Sequence, residues 1–197
     1  MQSEAVGKYA TDKGYKNVYI MAPNYQSGKD NVAGFKRYFK GGLSGEVYTT
    51  VNQPDYSAEI AQMQSAKPDA LFVFYPGGMG VNFVKQMRQA GLLGQIPLLS
   101  VSTTDGSTLP ALKETALGVI SGTFWGPDFN NPASKKFVAD FEKKYSRIPS
   151  QYAAQAYDSA LLIDSALKKT GGKAADKAAL TNALRAADFK SVRGNFR

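Results

Sequence analysis

A strand, a glycine-rich turn and a helix follow one another repeatedly along the first two thirds of the chain, and this recurrence constrains the fold more than any single motif. Asn17-Val18-Tyr19-Ile20-Met21-Ala22 is an apolar run closed by Pro23-Asn24-Tyr25-Gln26-Ser27-Gly28, and Val32, Phe35 and Phe39 then recur at helical spacing. Ala70-Leu71-Phe72-Val73-Phe74-Tyr75 is closed in the same way by Pro76-Gly77-Gly78-Met79-Gly80, with Phe83, Val84 and Met87 marking the next helix. Continuous apolar strands alternating with amphipathic helices specify a parallel sheet buried on both faces. Ligands of such sheets sit at the carboxyl ends of the strands. The loops there carry Tyr, Asn, Gln, Ser and Gly, which suits holding a small molecule better than reacting with one.

The full pattern predicts five strands, ending at Ala22, Val51, Tyr75, Val101 and Trp125. They alternate with helices over about 2–12, 29–40, 57–66, 79–90 and a short one near 110–115, giving a Rossmann-like, doubly wound, mainly parallel α/β lobe. Composition changes after Trp125. Gly126-Pro127-Asp128-Phe129-Asn130-Asn131-Pro132 reads as a crossing segment. Three helical patterns follow it, around Phe137, Phe141 and Tyr145, then 152–167 and 175–187, with one short strand candidate at 189–197. The expected division is therefore a lobe over 1–126 and a mostly helical return segment over 127–197. Those later helices have no sheet of their own to cover.

What the chain lacks narrows its chemistry. There is no cysteine and no histidine, which removes thiol nucleophiles, thiolate metal sites, the commonest general base and the commonest transition-metal ligand. The aspartates are scattered singly with no D-x-D loop, so we expect no enzyme, no metal and no cofactor; an α/β enzyme would need a titratable pair in its cleft. The formal charge is +8, from 24 basic and 16 acidic residues. The basic residues are dispersed over helix faces and turns without an arginine-rich run or RNP-type strand, so a solvated surface, not a nucleic-acid partner, is expected. No apolar run is long enough to span a bilayer. Met1-Gln2-Ser3-Glu4-Ala5-Val6 lacks a basic region followed by an apolar core, so it does not read as a signal peptide.

A series of segments in order carries a resemblance: Gly7-Lys8-Tyr9-Ala10, Ala22-Pro23-Asn24-Tyr25, Gly28-Lys29-Asp30, Val32-Ala33-Gly34-Phe35-Lys36, Asp55-Tyr56-Ser57, Lys67-Pro68-Asp69-Ala70, Tyr75-Pro76-Gly77-Gly78, Gln86-Met87-Arg88-Gln89-Ala90-Gly91-Leu92, Tyr152-Ala153-Ala154-Gln155-Ala156-Tyr157-Asp158 and Val192-Arg193-Gly194. Nearly the whole chain resembles the leucine/isoleucine/valine-type periplasmic solute-binding proteins of ABC transporters. The resemblance is to their second lobe and part of the return into the first. It implies a type I periplasmic-binding fold, a periplasmic location, an ABC permease as partner, and a small solute held by hinge closure between two lobes.

The candidate ligand-binding residues lie in the loops after the strands. Tyr25, Gln26 and Ser27 precede a helix whose backbone N–H groups favour an anion or a polar ligand edge; a turn closed by Asn24 and Gly28 accounts for the same residues without a ligand. Tyr75 and Gly77 form the second loop, where glycine permits close backbone approach and Tyr75 offers a wall or a hydroxyl. Its Gly-Gly-x-Gly is not the dinucleotide fingerprint. Ser100, Ser102 and Thr103 occupy the third. There the resemblance implies an acidic residue for a ligand ammonium, and Asp105 falls late. Trp125 at the expected last strand end, and Tyr152 and Gln155 after Pro149, complete the set.

The expected function is carriage of a small apolar carboxylated solute, a branched-chain or related amino acid, with an aromatic carboxylate as the alternative within the same family. A sensor or receptor lobe on the same fold is the alternative of a different class. The sheetless helices lead to one further expectation, a homodimer formed through the return segment.

Overall fold

A computed structural model of the chain describes residues 2–195. Two compact units follow one another, Met1–Thr123 and Phe124–Arg197.

The first unit is a five-stranded, wholly parallel sheet. Its strands are β1 (Asn17–Pro23), β2 (Gly42–Thr49), β3 (Ala70–Val73), β4 (Leu98–Val101) and β5 (Val119–Gly122), in the order β2-β1-β3-β4-β5. Its helices are α1 (Gln2–Asp12), α2 (Gln26–Tyr38), α3 (Ser57–Ser65), α4 (Gly78–Gln89) and α5 (Leu109–Leu112), the last continued by a 3-10 turn over Lys113–Ala116. Alternation along the strands sorts the core into two layers. Val18, Ile20, Ala22, Phe72 and Leu99 pack with Val6, Ala10, Val32 and Phe35 of α1 and α2. Tyr19, Met21, Leu71, Val73 and Leu98 pack with Ile60, Met63, Phe83, Met87 and Leu112 of α3 to α5. Both faces of β1 and β3 are covered, which is why these strands read as unbroken apolar runs.

Strand order also fixes where a ligand can sit. The chain leaves β1 for β2 on one side, then crosses back over β1 to form β3. The connecting helices α2 and α4 therefore lie on opposite faces, and the carboxyl ends of β1 and β3 form the topological switch point, the position of the ligand crevice in such sheets.

Several boundaries differ from the sequence expectation. Strand β2 lies over Gly42–Thr49 and stops short of Val51, with a register shift where Val18 and Tyr19 face Leu43 and Gly45. A bulge on an edge strand tolerates the glycines that read as a helix stop, and Gly45 is needed there because a side chain would run into the Tyr19 ring. Strands β3 and β5 end at Val73 and Gly122, short of Tyr75 and Trp125. Helix α2 starts three residues early, at Gln26, with Tyr25 as its N-cap.

The second unit holds α6 (Pro132–Tyr145), α7 (Gln151–Lys169) and α8 (Lys177–Ala186). Residues 189–195 form turns, so the strand expected over 189–197 does not occur among the described residues; 196 and 197 lie outside them. A small core joins Trp125, Phe137, Ala154 and Val192, with Phe124, Phe129, Val138 and Phe141 against it. Phe137 is thus buried within its own unit, whereas Tyr145 and Tyr157 stay exposed.

Candidate functional site

The crevice is built from the loops after β1 and β3. Pro23 ends β1, Tyr25 takes an extended conformation (φ −148°, ψ 173°), and α2 begins with Gln26 and Ser27, both exposed. No side chain caps α2, and no acidic residue stands in its first turn. Helix α4 starts in the same state: Gly77 is its N-cap at φ +60°, ψ −132°, without a capping side chain and without an acid in the first turn. That backbone geometry is open essentially to glycine. Each helix end thus leaves N–H groups and the positive end of a helix dipole uncompensated by an acidic side chain, an arrangement that favours a carboxylate or other anion.

Two glycines bring these helix ends close to the sheet. A methyl group at Gly28 would collide with the Pro23 carbonyl oxygen, and one at Gly80 with the Tyr75 carbonyl oxygen. The strand-to-helix turns at the two sides of the crevice therefore use the same device. The aromatic rings of Tyr25 and Phe74 meet across the two loops, with centroids 6.3 Å apart. Tyr25 is half-buried, and burial pushes its phenol up from the ordinary value.

Tyr75 is placed differently from its expected role. Its side chain is fully buried, with ring centroids 5.0 Å from both Tyr56 and Phe83. Its Oη lies 3.1 Å from Thr49 Oγ1, and its amide donates to Thr103 Oγ1 at 3.1 Å. The phenol of Tyr75 is raised, because burial outweighs the bond to Thr49; that of Tyr56 is pushed up to about 12 by burial and then by Glu59. In this structure Tyr75 holds loops together from beneath and presents no face to the crevice.

Beyond β4, Ser102 adopts a left-handed conformation (φ +57°) and Thr103 is buried. The carbonyl of Thr103 accepts from Thr108 Oγ1 at 3.1 Å. Ser100 is buried as well, its Oγ 2.9 Å from Ser121 Oγ, and Thr104 Oγ1 donates to Ser121 Oγ at 3.0 Å. The Asp105 carboxylate accepts from both the amide and the hydroxyl of Ser107, at 2.7 and 2.6 Å.

Three expected residues belong to the second unit. Trp125 is buried, donates from Nε1 to Ser134 Oγ at 2.9 Å, and stacks edge-on to Phe137 at 5.7 Å, so it is a core residue of that unit. Tyr152 and Gln155 are exposed near the start of α7. The structure adds residues the sequence did not single out: Thr49, Thr108 and Ser121, whose hydroxyls tie strand ends together. Thr49 was not found because the strand is expected to run on to Val51, whereas it ends at Thr49.

A family model described as periplasmic binding protein matches residues 1–197. The Leu/Ile/Val-binding protein homolog 6 of Brucella melitensis is 30% identical over 202 residues, covering 98% of this chain and 51% of its own length. A solute-binding protein of an R. palustris ABC transporter, solved with benzoate, superposes with a TM-score of 0.91 at 30% identity, covering 98% of this chain and 54% of the other. Another, from Rhodopseudomonas palustris BisB5 in complex with 3,4-dihydroxybenzoic acid, gives 0.82 at 33% identity with coverages of 98% and 54%. The chain thus spans about half the length of the relatives it matches.

Proposed function

Because the chain belongs to the periplasmic binding protein family, we propose that it supplies one wall of the solute cleft of an ABC importer's periplasmic binding component. The carrying observation is the pair of helix N-termini, α2 and α4, that flank the β1/β3 crevice without side-chain caps or first-turn acids. Their N–H groups receive the carboxylate of a small apolar solute, and Tyr25, Gln26, Ser27 and Gly77 form the contact surface. In the same unit Ser102, after β4, extends the candidate set, with Ser100, Thr103 and Tyr75 buried beneath it; Tyr152 and Gln155 are proposed separately as contacts from the exposed start of α7. A second wall closes over the solute by hinge motion, and a permease receives it.

Between the two solute classes, an aromatic carboxylate is favoured over a branched-chain amino acid. An α-ammonium needs a facing carboxylate, and the acid of this loop, Asp105, falls late in it and has its Oδ1 turned to the amide and hydroxyl of Ser107. The two R. palustris proteins hold aromatic acids. The Brucella relative's name keeps leucine-like amino acids as the second reading.

Calorimetry with benzoate and with leucine separates them. We expect this chain alone to bind at best weakly, since one wall desolvates little of a ligand, and the protein at the length of its relatives to bind well. Equal affinity for both forms overturns the two-wall cleft. Within the longer form, Tyr25→Ala and Tyr152→Ala weaken binding more than Lys36→Ala, because Lys36 pairs with Glu46 at the partly exposed edge strand.

We also propose that this chain by itself forms a homodimer through its second unit. Tyr145, Ile148, Tyr152 and Ile163 are 47–57% exposed on α6, α7 and the turn between them, and a second copy offers the matching apolar surface. Light scattering that gives a monomer across a tenfold concentration range removes this reading.

A further inference from the structure

The loops at the carboxyl edge run past the ends of short strands. The β3/β4 ladder stops at Val73–Ser100, so residues beyond it lose regular sheet bonding just where a ligand would dock. A line of hydrogen bonds takes over, one between backbones and the rest through the buried side chains of Thr49, Tyr75, Thr103 and Thr108. The Asn24 amide donates to the Thr49 carbonyl at 2.8 Å, Thr49 Oγ1 meets Tyr75 Oη at 3.1 Å, and the Tyr75 amide donates to Thr103 Oγ1 at 3.1 Å. Thr108 Oγ1 then donates to the Thr103 carbonyl and accepts from the Asp105 amide at 3.0 Å. This line runs through the loops after β1, β2, β3 and β4. Thr49, Tyr75, Thr103 and Thr108 are each at most 2% exposed, so a broken link leaves a polar group without water to replace its partner. The line passes the left-handed Ser102, a backbone state that persists only where its surroundings hold it.

We propose that Tyr75 is a positioning residue for solute capture: its hydroxyl and amide hold four strand-end loops in the one arrangement that offers the helix N-termini to a carboxylate. The proposal rests on the reading of the crevice as a solute site. Tyr75 contributes no ligand contact. It raises the fraction of molecules whose crevice is competent to bind, and apparent affinity scales with that fraction.

The test is a nuclear magnetic resonance titration of this chain with benzoate and leucine, read together with amide exchange. Tyr75→Phe keeps the ring and removes the hydroxyl; Thr49→Val keeps the shape and removes its partner. Each is expected to raise the benzoate dissociation constant about three- to tenfold, the size of one lost hydrogen bond. The double variant should cost no more than the larger single effect, because both remove the same bond. Ile60→Val, in the same core layer, should lower the melting temperature with affinity unchanged. An affinity for Tyr75→Phe within twofold of the parent, or additive losses in the double variant, overturns the proposal. If the unmodified chain shifts with neither acid, as a single wall allows, calorimetry on the longer form decides the solute reading and exchange decides the rest. Faster exchange at the Asn24 and Tyr75 amides in Thr49→Val then supports the brace, and unchanged exchange overturns it.

Discussion

The two units begin their helices in opposite ways. In the second unit every helix has a side-chain cap: Asn131 accepts from the Ala133 amide, Ser150 from Ala153 and Asp176 from Ala179. In the first, α2, α3, α4 and α5 have none. The difference follows from what else holds each helix. Helices α1 to α5 lie on a sheet and bury large side chains in two layers, so their ends are free for other uses. Among the described residues the second unit has no sheet, and its small core draws on α6 and α7 but not on α8, so local bonds carry more of the load. The i,i+4 pairs Lys136–Asp140 and Asp164–Lys168 add to that local support. In the first unit packing against the sheet, not side-chain capping, holds the helix starts in place.

The largest expected effect tests the packed side of this contrast. Phe72 is fully buried and stacks on Phe35 with centroids 4.3 Å apart. Phe72→Ala should cost the first unit about 3–5 kcal/mol in denaturant unfolding; a loss below about 1 kcal/mol would mean that this layer is loosely packed. Asp158→Ala should come next, at about 3 kcal/mol. Its carboxylate accepts from Ser191 Oγ at 2.6 Å, the Val192 amide at 3.0 Å and Arg193 Nε at 2.9 Å, tying α7 to the turn after α8. Exchange should speed up at Val192 while β1 stays protected.

Alkali discriminates the units without mutation. The phenol of Tyr56 is pushed up to about 12 by burial, and that of Tyr75 is raised further. The folded state holds these protons more tightly than the unfolded chain. Their contribution is therefore complete below the unfolded value of about 10 and is lost as pH rises through the folded value. The first unit should melt at progressively lower temperature above about pH 10, and Tyr56→Phe should reduce that slope. The smallest effect probes a cap. Ser150→Ala should cost about 1 kcal/mol, whereas Ser27→Ala, at an uncapped start, should leave stability unchanged by circular dichroism melting.

How much of this was legible in the sequence also differs by region. Strands β1 and β3 were readable because both their faces are buried, leaving no polar residue to blur the run. Strand β2 is expected too late in the chain because Gly41-Gly42 reads as the stop of the preceding helix, whereas the strand already begins at Gly42 and bulges where Val18 and Tyr19 face Leu43 and Gly45. The extension of the last strand to Trp125 failed for a related reason: an aromatic pair continues an apolar run equally well whether it faces the sheet or, as here, a separate small core. The loops of the crevice were identified by position, but Tyr75 was not placed beneath them. Sequence shows that a tyrosine ends the run; only the fold shows that its hydroxyl meets Thr49.

The close packing at Gly28 and Gly80 has a consequence for how such a crevice can change. Because neither position accepts a side chain without moving a strand-end carbonyl, the two helix starts are locked to the sheet as a fixed electrostatic floor. Substitutions at Tyr25, Gln26 or Ser27 alter the lining without moving that floor. On the proposed reading of the crevice, a preference for acids would persist while the shape of the accepted acid changes, so selectivity among carboxylates is expected to be easily altered by substitution and selectivity for the carboxylate itself to resist it.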